Sequence, residues 1–216
     1  MPPARRDRAR ARQLAAQGDP IGWFDRLYRE AAEGGAPVPW DDGAPNPHLV
    51  SYVESTSFPP TTALVVGCGL GEDAEWLAGC GFGVTAFDVS AAAVDQARHR
   101  FPASAVDYRV ADARRAPAGW RGAFGLVVEA NTLQVLPPAL RRQAALGMAG
   151  TVAAGGTLLV VARGREEHDP DGDMPWPLLR ADLAVFAEAG LREVSFEDFW
   201  DDEDPPVRRF RAAFRR

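Results

Sequence analysis

The sequence has no lysine: all 24 of its basic residues are arginine. No side chain can therefore form a Schiff base or act as an amine general base. Cysteine is almost as scarce, since only Cys68 and Cys80 occur. A disulfide between them would distort the glycine-rich turn that contains Cys68, so we expect two free thiols, as is typical of a cytoplasmic protein. The three histidines, His48, His99 and His168, have no ligand spacing with each other or with the cysteines, which predicts no metal site.

Long apolar runs are absent as well. No window of about 18 uncharged apolar residues occurs, so we expect no membrane-spanning segment. The arginine-rich start is not followed by an apolar signal core, which indicates cytoplasmic localisation. Residues 1–12 and 208–216 are strongly basic, so the rest of the chain is more acidic than the net charge of −6 suggests. This acidic body argues against a nucleic-acid groove, and we expect a small-molecule partner, with the protein a monomer or a homodimer.

Strand and helix signals alternate through most of the chain, which at 216 residues is long enough for one domain. The alternation is typical of a doubly wound α/β fold, and the continuous apolar run at 157–162 belongs in the middle of a parallel sheet. Two alternating apolar stretches near the C-terminus, separated by an acidic turn with two prolines, predict an antiparallel hairpin that completes a mostly parallel seven-stranded sheet. The other strands are expected at 62–66, 83–88, 105–110 and 123–128, and helices at 71–79, 91–100, 138–152 and 178–189.

The N-terminal part has a different pattern. A helix is expected at residues 4–17, and the apolar stripe within 23–28 is typical of a short second helix. A proline- and glycine-rich stretch with Trp40 in its middle follows, and a loop of that composition is ordered only by packing on something else. We therefore interpret residues 1–57 as a helical and loop cap over the binding site, and residues 58–216 as the core.

The most informative feature is the glycine turn, Gly67-Cys68-Gly69-Leu70-Gly71. It lies between a strand and a helix, and the next strand ends at Asp88, 19 positions after Gly69. This order is typical of a nucleotide or nucleoside site on a parallel sheet. Glycine lets the backbone approach a ligand that a Cβ would repel, and a carboxylate accepts two hydroxyl donors from a ribose. An NAD-type pyrophosphate is disfavoured, because Glu72 and Asp73 follow the turn where a phosphate needs a bare helix N-terminus.

Several further segments between residues 62 and 162 point to the same protein family as the glycine turn. Over residues 62–162 the chain resembles the class I S-adenosylmethionine-dependent methyltransferases. The resemblance implies five parallel βα units followed by an antiparallel hairpin, S-adenosylmethionine as cofactor, and methyl transfer as the reaction. The segments that carry it are Leu64-Val65-Val66-Gly67-Cys68-Gly69-Leu70-Gly71-Glu72-Asp73, Phe87-Asp88-Val89-Ser90, Ala111-Asp112-Ala113, Phe124-Gly125-Leu126-Val127-Val128-Glu129, Leu136-Pro137-Pro138-Ala139-Leu140-Arg141 and Ala154-Gly155-Gly156-Thr157-Leu158.

The same resemblance implies residue roles. Asp88 would hold the ribose hydroxyls, Asp112 with Ala113 would recognise the adenine amino group, and Glu129 would face the transferred methyl group. Trp40 would cover the methionine end of the cofactor, although a packing anchor is an equally typical role for it. The implied cofactor-binding residues are Trp40, Gly67, Cys68, Gly69, Gly71, Asp73, Asp88, Val89, Asp112, Ala113 and Glu129, and the implied substrate residues are Asn131, Arg163 and Trp176.

Some details are similar to the thiopurine and thiol methyltransferases, namely Trp40-Asp41, Thr132-Leu133-Gln134, Arg163 and Met174-Pro175-Trp176-Pro177. The predicted function is methyl transfer to a small-molecule acceptor, with a thiol favoured. The sequence offers no clear pair of catalytic base and partner, and a thiol needs none because a useful thiolate fraction exists near neutral pH. His168 is a candidate base, but a solvated loop histidine is the simpler interpretation. O- or N-methylation of a small metabolite, methylation of RNA or protein, and a non-catalytic cofactor-binding protein of the same fold remain as alternatives.

Overall fold

The computed structural model describes residues 8–170 and 174–216. Its strands are β1 (Thr62–Val66), β2 (Gly83–Asp88), β3 (Asp107–Val110), β4 (Phe124–Ala130), β5 (Val152–Arg165), β6 (Leu178–Leu179), β7 (Arg192–Trp200) and β8 (Arg208–Arg215). They form one sheet in the order β3-β2-β1-β4-β5-β8-β7, with the short β6 paired to the end of β5. Strands β1 to β5 are parallel to one another, whereas β8 is antiparallel to both β5 and β7.

Seven α-helices are found in the described residues, and they cover both faces of the sheet. Helices α1, α2, α6 and α7 pack on one face, whose strand residues include Leu64 and Val127. Helices α3, α4 and α5 pack on the other, against Ala63 and Val65 among others. Since successive strand residues point to opposite faces and both faces are covered, the central strands are apolar throughout. The helices are α1 (Ala9–Ala15), α2 (Gly22–Ala32), α3 (Pro47–Ser55), α4 (Glu72–Gly79), α5 (Ala91–Arg100), α6 (Pro138–Thr151) and α7 (Ala184–Glu188).

This topology confirms the predicted α/β fold with a C-terminal antiparallel hairpin, with β6 as an addition to the seven strands. The helix predicted at 178–189 is wrong in its first half. Leu178 and Leu179 pair with the end of β5, a 3₁₀ turn covers Arg180–Leu183, and only Ala184–Glu188 is α-helical. Residues 4–7 of the helix predicted at 4–17 lie outside the described part of the chain, and within that part the helix covers Ala9–Ala15. Within that part, no helix is both long and apolar enough to cross a lipid bilayer.

The strand order reverses between β1 and β4, which are neighbours although β2 and β3 lie between them in the sequence. In a doubly wound sheet this reversal opens a crevice at the carboxyl ends of the two strands, and ligands bind there. The glycine turn follows β1 and residues 131–136 follow β4. The two segments that the sequence singled out therefore face each other across this crevice.

Candidate functional site

The glycine turn is shaped largely by its own protein neighbours. Gly67 and Gly71 have φ angles of 63° and 103°, which L side chains rarely adopt. A Cβ on Gly67 would collide with Thr132, and one on Gly71 would collide with Tyr108. These two glycines are therefore required for packing within the chain. Gly69 is different: a Cβ there would meet only the Tyr28 hydroxyl, at 2.9 Å, so this glycine faces the N-terminal cap.

Asp88 connects the tip of β2 to the glycine turn. Its side chain is buried, with Oδ2 accepting from the Gly69 N–H at 3.0 Å and Oδ1 accepting from the Ser90 N–H at 2.9 Å. Burial raises the pKa of Asp88, and the backbone donors oppose that rise. Each carboxylate oxygen has more than one lone pair, so both retain acceptor capacity. Asp88 is thus fixed in place while still able to accept two hydroxyl groups, which fits a ribose.

More carboxylates surround the turn at the start of α4. Burial raises the pKa of Asp73 to about 6, and its Oδ1 accepts from the Asn46 N–H at 2.6 Å, which ties the start of α3 to this helix. Glu72 forms a 2.6 Å ion pair with Arg100, and burial raises its pKa as well. This acidic setting suits a ligand that carries positive charge and hydroxyl donors. A pyrophosphate would be repelled here.

Two residues of α2, Asp25 and Tyr28, belong to the site although the sequence did not single them out for binding. Asp25 Oδ1 accepts from the Ser90 hydroxyl at 3.0 Å and the Ala92 N–H at 2.9 Å, and so caps the start of α5. Tyr28 is almost fully buried, and its hydroxyl accepts from Trp40 Nε1 at 2.8 Å. No acceptor for the Tyr28 hydroxyl hydrogen occurs among the described residues. The apolar stripe of 23–28 ends in Tyr28, and its hydroxyl was the sequence feature that could have marked this residue as a binding candidate.

Trp40 is partly buried within this cap. Its ring stands edge-on to Trp23, Phe24 and Tyr28, with centroids 6.2 to 6.4 Å apart. Its indole N–H is used by Tyr28. Trp40 therefore packs within the cap and is hydrogen-bonded to Tyr28, the residue nearest Gly69. Its contact with a cofactor stays a prediction.

Glu129, expected to face the transferred methyl group, has a completely buried side chain. Its Oε1 accepts from the Thr132 N–H at 2.6 Å and the Leu133 N–H at 2.8 Å, so it holds the turn after β4. Oε2 is buried and has no hydrogen-bond partner among the described residues. Burial raises the pKa of Glu129 to about 7. The geometry makes Glu129 a support for the turn, and its contact with a cofactor stays a prediction.

Replacement of Glu129 by glutamine should flatten the pH dependence of stability. The pKa of Glu129 in the folded protein, about 7, lies above its ordinary value of 4.5, so the folded state holds a proton that the unfolded state releases. Stability therefore falls as the pH rises from about 4.5 to about 7, by roughly 3 kcal/mol for a shift of this size. Glu129→Gln keeps one oxygen for the two N–H donors and removes this loss. Urea unfolding of the wild type and of Glu129→Gln at pH 5 and pH 8 measures the change in stability. An equal change in the two proteins would contradict this prediction.

The three predicted substrate residues meet at Gln134. Its Oε1 accepts from the Arg163 N–H at 2.6 Å, its Nε2 donates to Asn131 Oδ1 at 3.1 Å, and its carbonyl accepts from the Trp176 N–H at 2.7 Å. The Arg163 guanidinium lies 3.9 Å from Glu203 in the turn between β7 and β8. Gln134 is buried. In the sequence it stood out only within the segment Thr132-Leu133-Gln134, and no local pattern predicted that it would join these elements.

The remaining predicted residues are bonded to other side chains, packed in the core or exposed. Arg114 binds the Asp112 carboxylate at 2.7 Å; burial alone would raise the pKa of Asp112, and the bonds to Arg114 lower it. Burial raises the pKa of Cys68 well above its usual value, so its thiol is neutral and fills space. Val89 and Ala113 pack against the hydrophobic core. His168 is exposed, 3.7 Å from Asp169.

Comparisons with known proteins agree with this geometry. The family model for a methyltransferase domain matches residues 63–156. A probable thiol methyltransferase 2 of Arabidopsis thaliana is 36% identical over 36% of this chain and 38% of its own length, so the chain spans well under half of that relative. Thiocyanate methyltransferase 1 of Brassica oleracea is 27% identical over 74% of this chain and 72% of its own length.

Solved structures of other proteins have the same fold. A structure from work on the conversion of a disulfide bond into a thioacetal group during echinomycin biosynthesis matches with a TM-score of 0.73 and 24% identity, covering 89% of this chain and 90% of that one. The N-methyltransferase NodS of Bradyrhizobium japonicum WM9, in complex with S-adenosyl-l-homocysteine, matches with a TM-score of 0.65 and 23% identity, over 88% and 98% of the two chains. Together, the domain match and these likenesses support the predicted class I S-adenosylmethionine-dependent methyltransferase.

Proposed function

We propose that this enzyme transfers the methyl group of S-adenosylmethionine to the sulfur atom of a small molecule. The observation that carries the cofactor assignment is the buried Asp88, which is bonded to the glycine turn and still able to accept two hydroxyls. The acidic side chains around that turn favour a ligand with a sulfonium and an ammonium group. The sulfur acceptor is supported by the thiol and thiocyanate methyltransferases among its relatives.

In this proposal the chain's residues bind and align the reactants. S-Adenosylmethionine supplies a methyl carbon bonded to a positively charged sulfur, so the electrophile comes with the cofactor. Asp88 would hold the ribose, Val89 would pack on the adenine, and Tyr28 and Trp40 would close the cap over the methionine end. The buried hydroxyl of Tyr28, which has a hydrogen to donate, suits the cofactor's carboxylate. Asn131, Arg163 and Trp176 form the acceptor side, with residues 1–57 keeping water away from both reactants.

A sulfur acceptor also fits the sequence, which offers no clear pair of catalytic base and partner. A thiol has a pKa near 8.5, so a useful fraction is ionised near neutral pH without help from a base. His168, the histidine considered for that role, is exposed in a loop. Catalysis then depends on alignment of the thiolate with the methyl carbon. An amine or alcohol acceptor would require a positioned base in addition.

Calorimetry and a turnover assay test the proposal in two steps. S-Adenosylhomocysteine titrated into the protein should release heat with one-to-one stoichiometry, and absence of binding would contradict the cofactor assignment. The protein should then methylate thiocyanate or benzenethiol faster than phenol or aniline, with products identified by mass spectrometry. Transfer to oxygen or nitrogen alone would overturn the sulfur assignment. Binding without any product would favour the non-catalytic alternative.

Loss of the Asp25 carboxylate should loosen the cap. Asp25→Ala removes two hydrogen bonds at the start of α5, and loss of such a cap costs about 1 kcal/mol. We also expect weaker binding of S-adenosylhomocysteine, because α2 holds Tyr28 against Gly69. Asp95→Ala is the matched control: Asp95 lies on the same helix α5 and is exposed, and its carboxylate forms a 3.5 Å ion pair with Arg98. Urea unfolding and calorimetry compare the two variants, and equal effects would contradict the role of Asp25.

A further inference from the structure

The side-chain amide of Asn131 is held in one orientation by a chain of hydrogen bonds. The chain starts at the Arg163 backbone N–H, which donates to Gln134 at 2.6 Å. A backbone N–H can only donate, so the atom it reaches is the oxygen of Gln134, and the Gln134 Nε2 is left to donate to Asn131 Oδ1 at 3.1 Å. Gln134 is 4% exposed, so water offers it little alternative.

Arg209 imposes the same orientation independently. A guanidinium has donors only, and Arg209 Nη1 donates to Asn131 Oδ1 at 3.2 Å. Arg209 is itself buried on β8 and is fixed by a 2.7 Å ion pair with Asp201. With two donors on Oδ1, the Nδ2 group of Asn131 carries its hydrogens on the other side of the amide. Across residues 8–170 and 174–216, no acceptor is bonded to that Nδ2.

Asn131 lies where this donor group is useful. It directly follows β4, and the next residue, Thr132, bonds the Val66 carbonyl at 3.0 Å and contacts Gly67. Asn131 therefore borders the crevice between β1 and β4. Its φ angle of 64° is unusual for a residue other than glycine, and such backbone geometry is concentrated at functional sites.

We infer that Asn131 determines the specificity for the accepting atom: its Nδ2 donates to that atom and so favours a thiolate over an amine, with Gln134 and Arg209 as positioning residues. This inference rests on the proposed function. A neutral amine has one lone pair, and a hydrogen bond from Asn131 would occupy the pair that must attack the methyl carbon. A thiolate sulfur has three, so it accepts from Asn131 and still attacks.

Benzenethiol, phenol and aniline form a matched set of acceptors for the test. Asn131→Gly removes the amide while tolerating the positive φ, and Asn131→Asp replaces the two donors by an acceptor. In Asn131→Gly, kcat/KM for benzenethiol should fall roughly 10- to 100-fold, the equivalent of one hydrogen bond to a charged group. In Asn131→Asp, kcat/KM for benzenethiol should fall further. The kcat/KM for aniline should decrease little in either variant, so the thiol-to-amine ratio of kcat/KM decreases. An unchanged ratio would overturn the inference.

A positioning role of Arg209 is distinguished from a purely structural one by a measurement that a structural role would not change. Arg209→Lys keeps a charge for Asp201 and loses the guanidinium donor to Asn131, so the KM for benzenethiol should rise and the thiol-to-amine ratio should fall. Affinity for S-adenosylhomocysteine should stay the same. Arg208→Gln is the control on the same strand, since Arg208 pairs with Asp198 and Glu166 instead. A ratio that changes equally in both variants would contradict the role of Arg209.

Failure of the proposed function can be separated from failure of this inference. If the wild-type protein methylates no thiol, the sulfur assignment is wrong. The donor role of Asn131 is then judged by NMR of the ¹⁵N-labelled protein with S-adenosylhomocysteine bound, where the Asn131 side-chain signal is assigned by its loss in Asn131→Asp. Benzenethiolate should shift that signal selectively. A signal that does not move on titration would overturn the inference.

Discussion

Asp88→Ala is expected to lower the affinity for S-adenosylhomocysteine by about 100-fold or more. Two ribose hydroxyls would lose a charged acceptor, and a hydrogen bond to a charged group contributes about 1.5 to 3 kcal/mol. The same change also removes the acceptor for the Gly69 and Ser90 N–H groups, which keep the glycine turn in place. Calorimetric titration measures the affinity. Near-UV circular dichroism and thermal unfolding show whether the variant retains its fold, and Asp88→Asn, which keeps one oxygen acceptor, provides a milder second variant.

Asp112→Ala is the matched comparison for Asp88. Both acids were expected to contact the adenosine part of the cofactor, but the Asp112 carboxylate is occupied by Arg114 through a 2.7 Å ion pair. We therefore expect less than a tenfold loss of affinity in Asp112→Ala. Equal losses in the two variants would show that Arg114 releases Asp112 on binding. Unchanged affinity in a folded Asp88 variant would contradict the central assignment of the cofactor site.

The parts of the site that were predictable from the sequence are local. The glycine turn and Asp88 are 19 residues apart and belong to consecutive strands, so strand periodicity and turn chemistry place them together. The antiparallel hairpin was predictable for the same reason, since alternation on two adjacent stretches identifies it. These features depend on signals contained within one βαβ or hairpin unit.

The contacts that could not be predicted join distant parts of the chain. Arg209 and Asn131 are 78 residues apart, and Asp25 and Ser90 are 65 apart. No periodicity of a single helix or strand contains such a pairing, which arises only when the sheet order brings the segments together. The helix expected at 178–189 failed in a related way, because pairing of Leu178 with the extended end of β5 outweighed the local helical pattern.

Trp23→Ala is expected to have the largest effect on stability. Trp23 is 1% exposed, it stacks on Phe24 with ring centroids 3.8 Å apart, and it belongs to the hydrophobic cluster that includes the central strands. Truncation of a buried tryptophan costs about 3 to 5 kcal/mol because the cavity closes only in part. Urea unfolding measures that loss. The exposed Trp200, on β7, supplies the control: Trp200→Ala should change stability by less than about 1 kcal/mol.

The same variant tests whether residues 1–57 act as a cap on a separate core. If the cap opens by itself, limited proteolysis of Trp23→Ala should cut within residues 1–57 first, while the sheet stays protected. S-Adenosylhomocysteine should slow that cleavage, because Tyr28 and Trp40 would close on the ligand and binding stabilises the closed state. Trp23 packs in the same cluster as Leu64 and Val127 of the sheet, so its loss could instead unfold the cap and the sheet together. Simultaneous loss of protection along the whole chain would show one cooperative unit and contradict the division at residue 57.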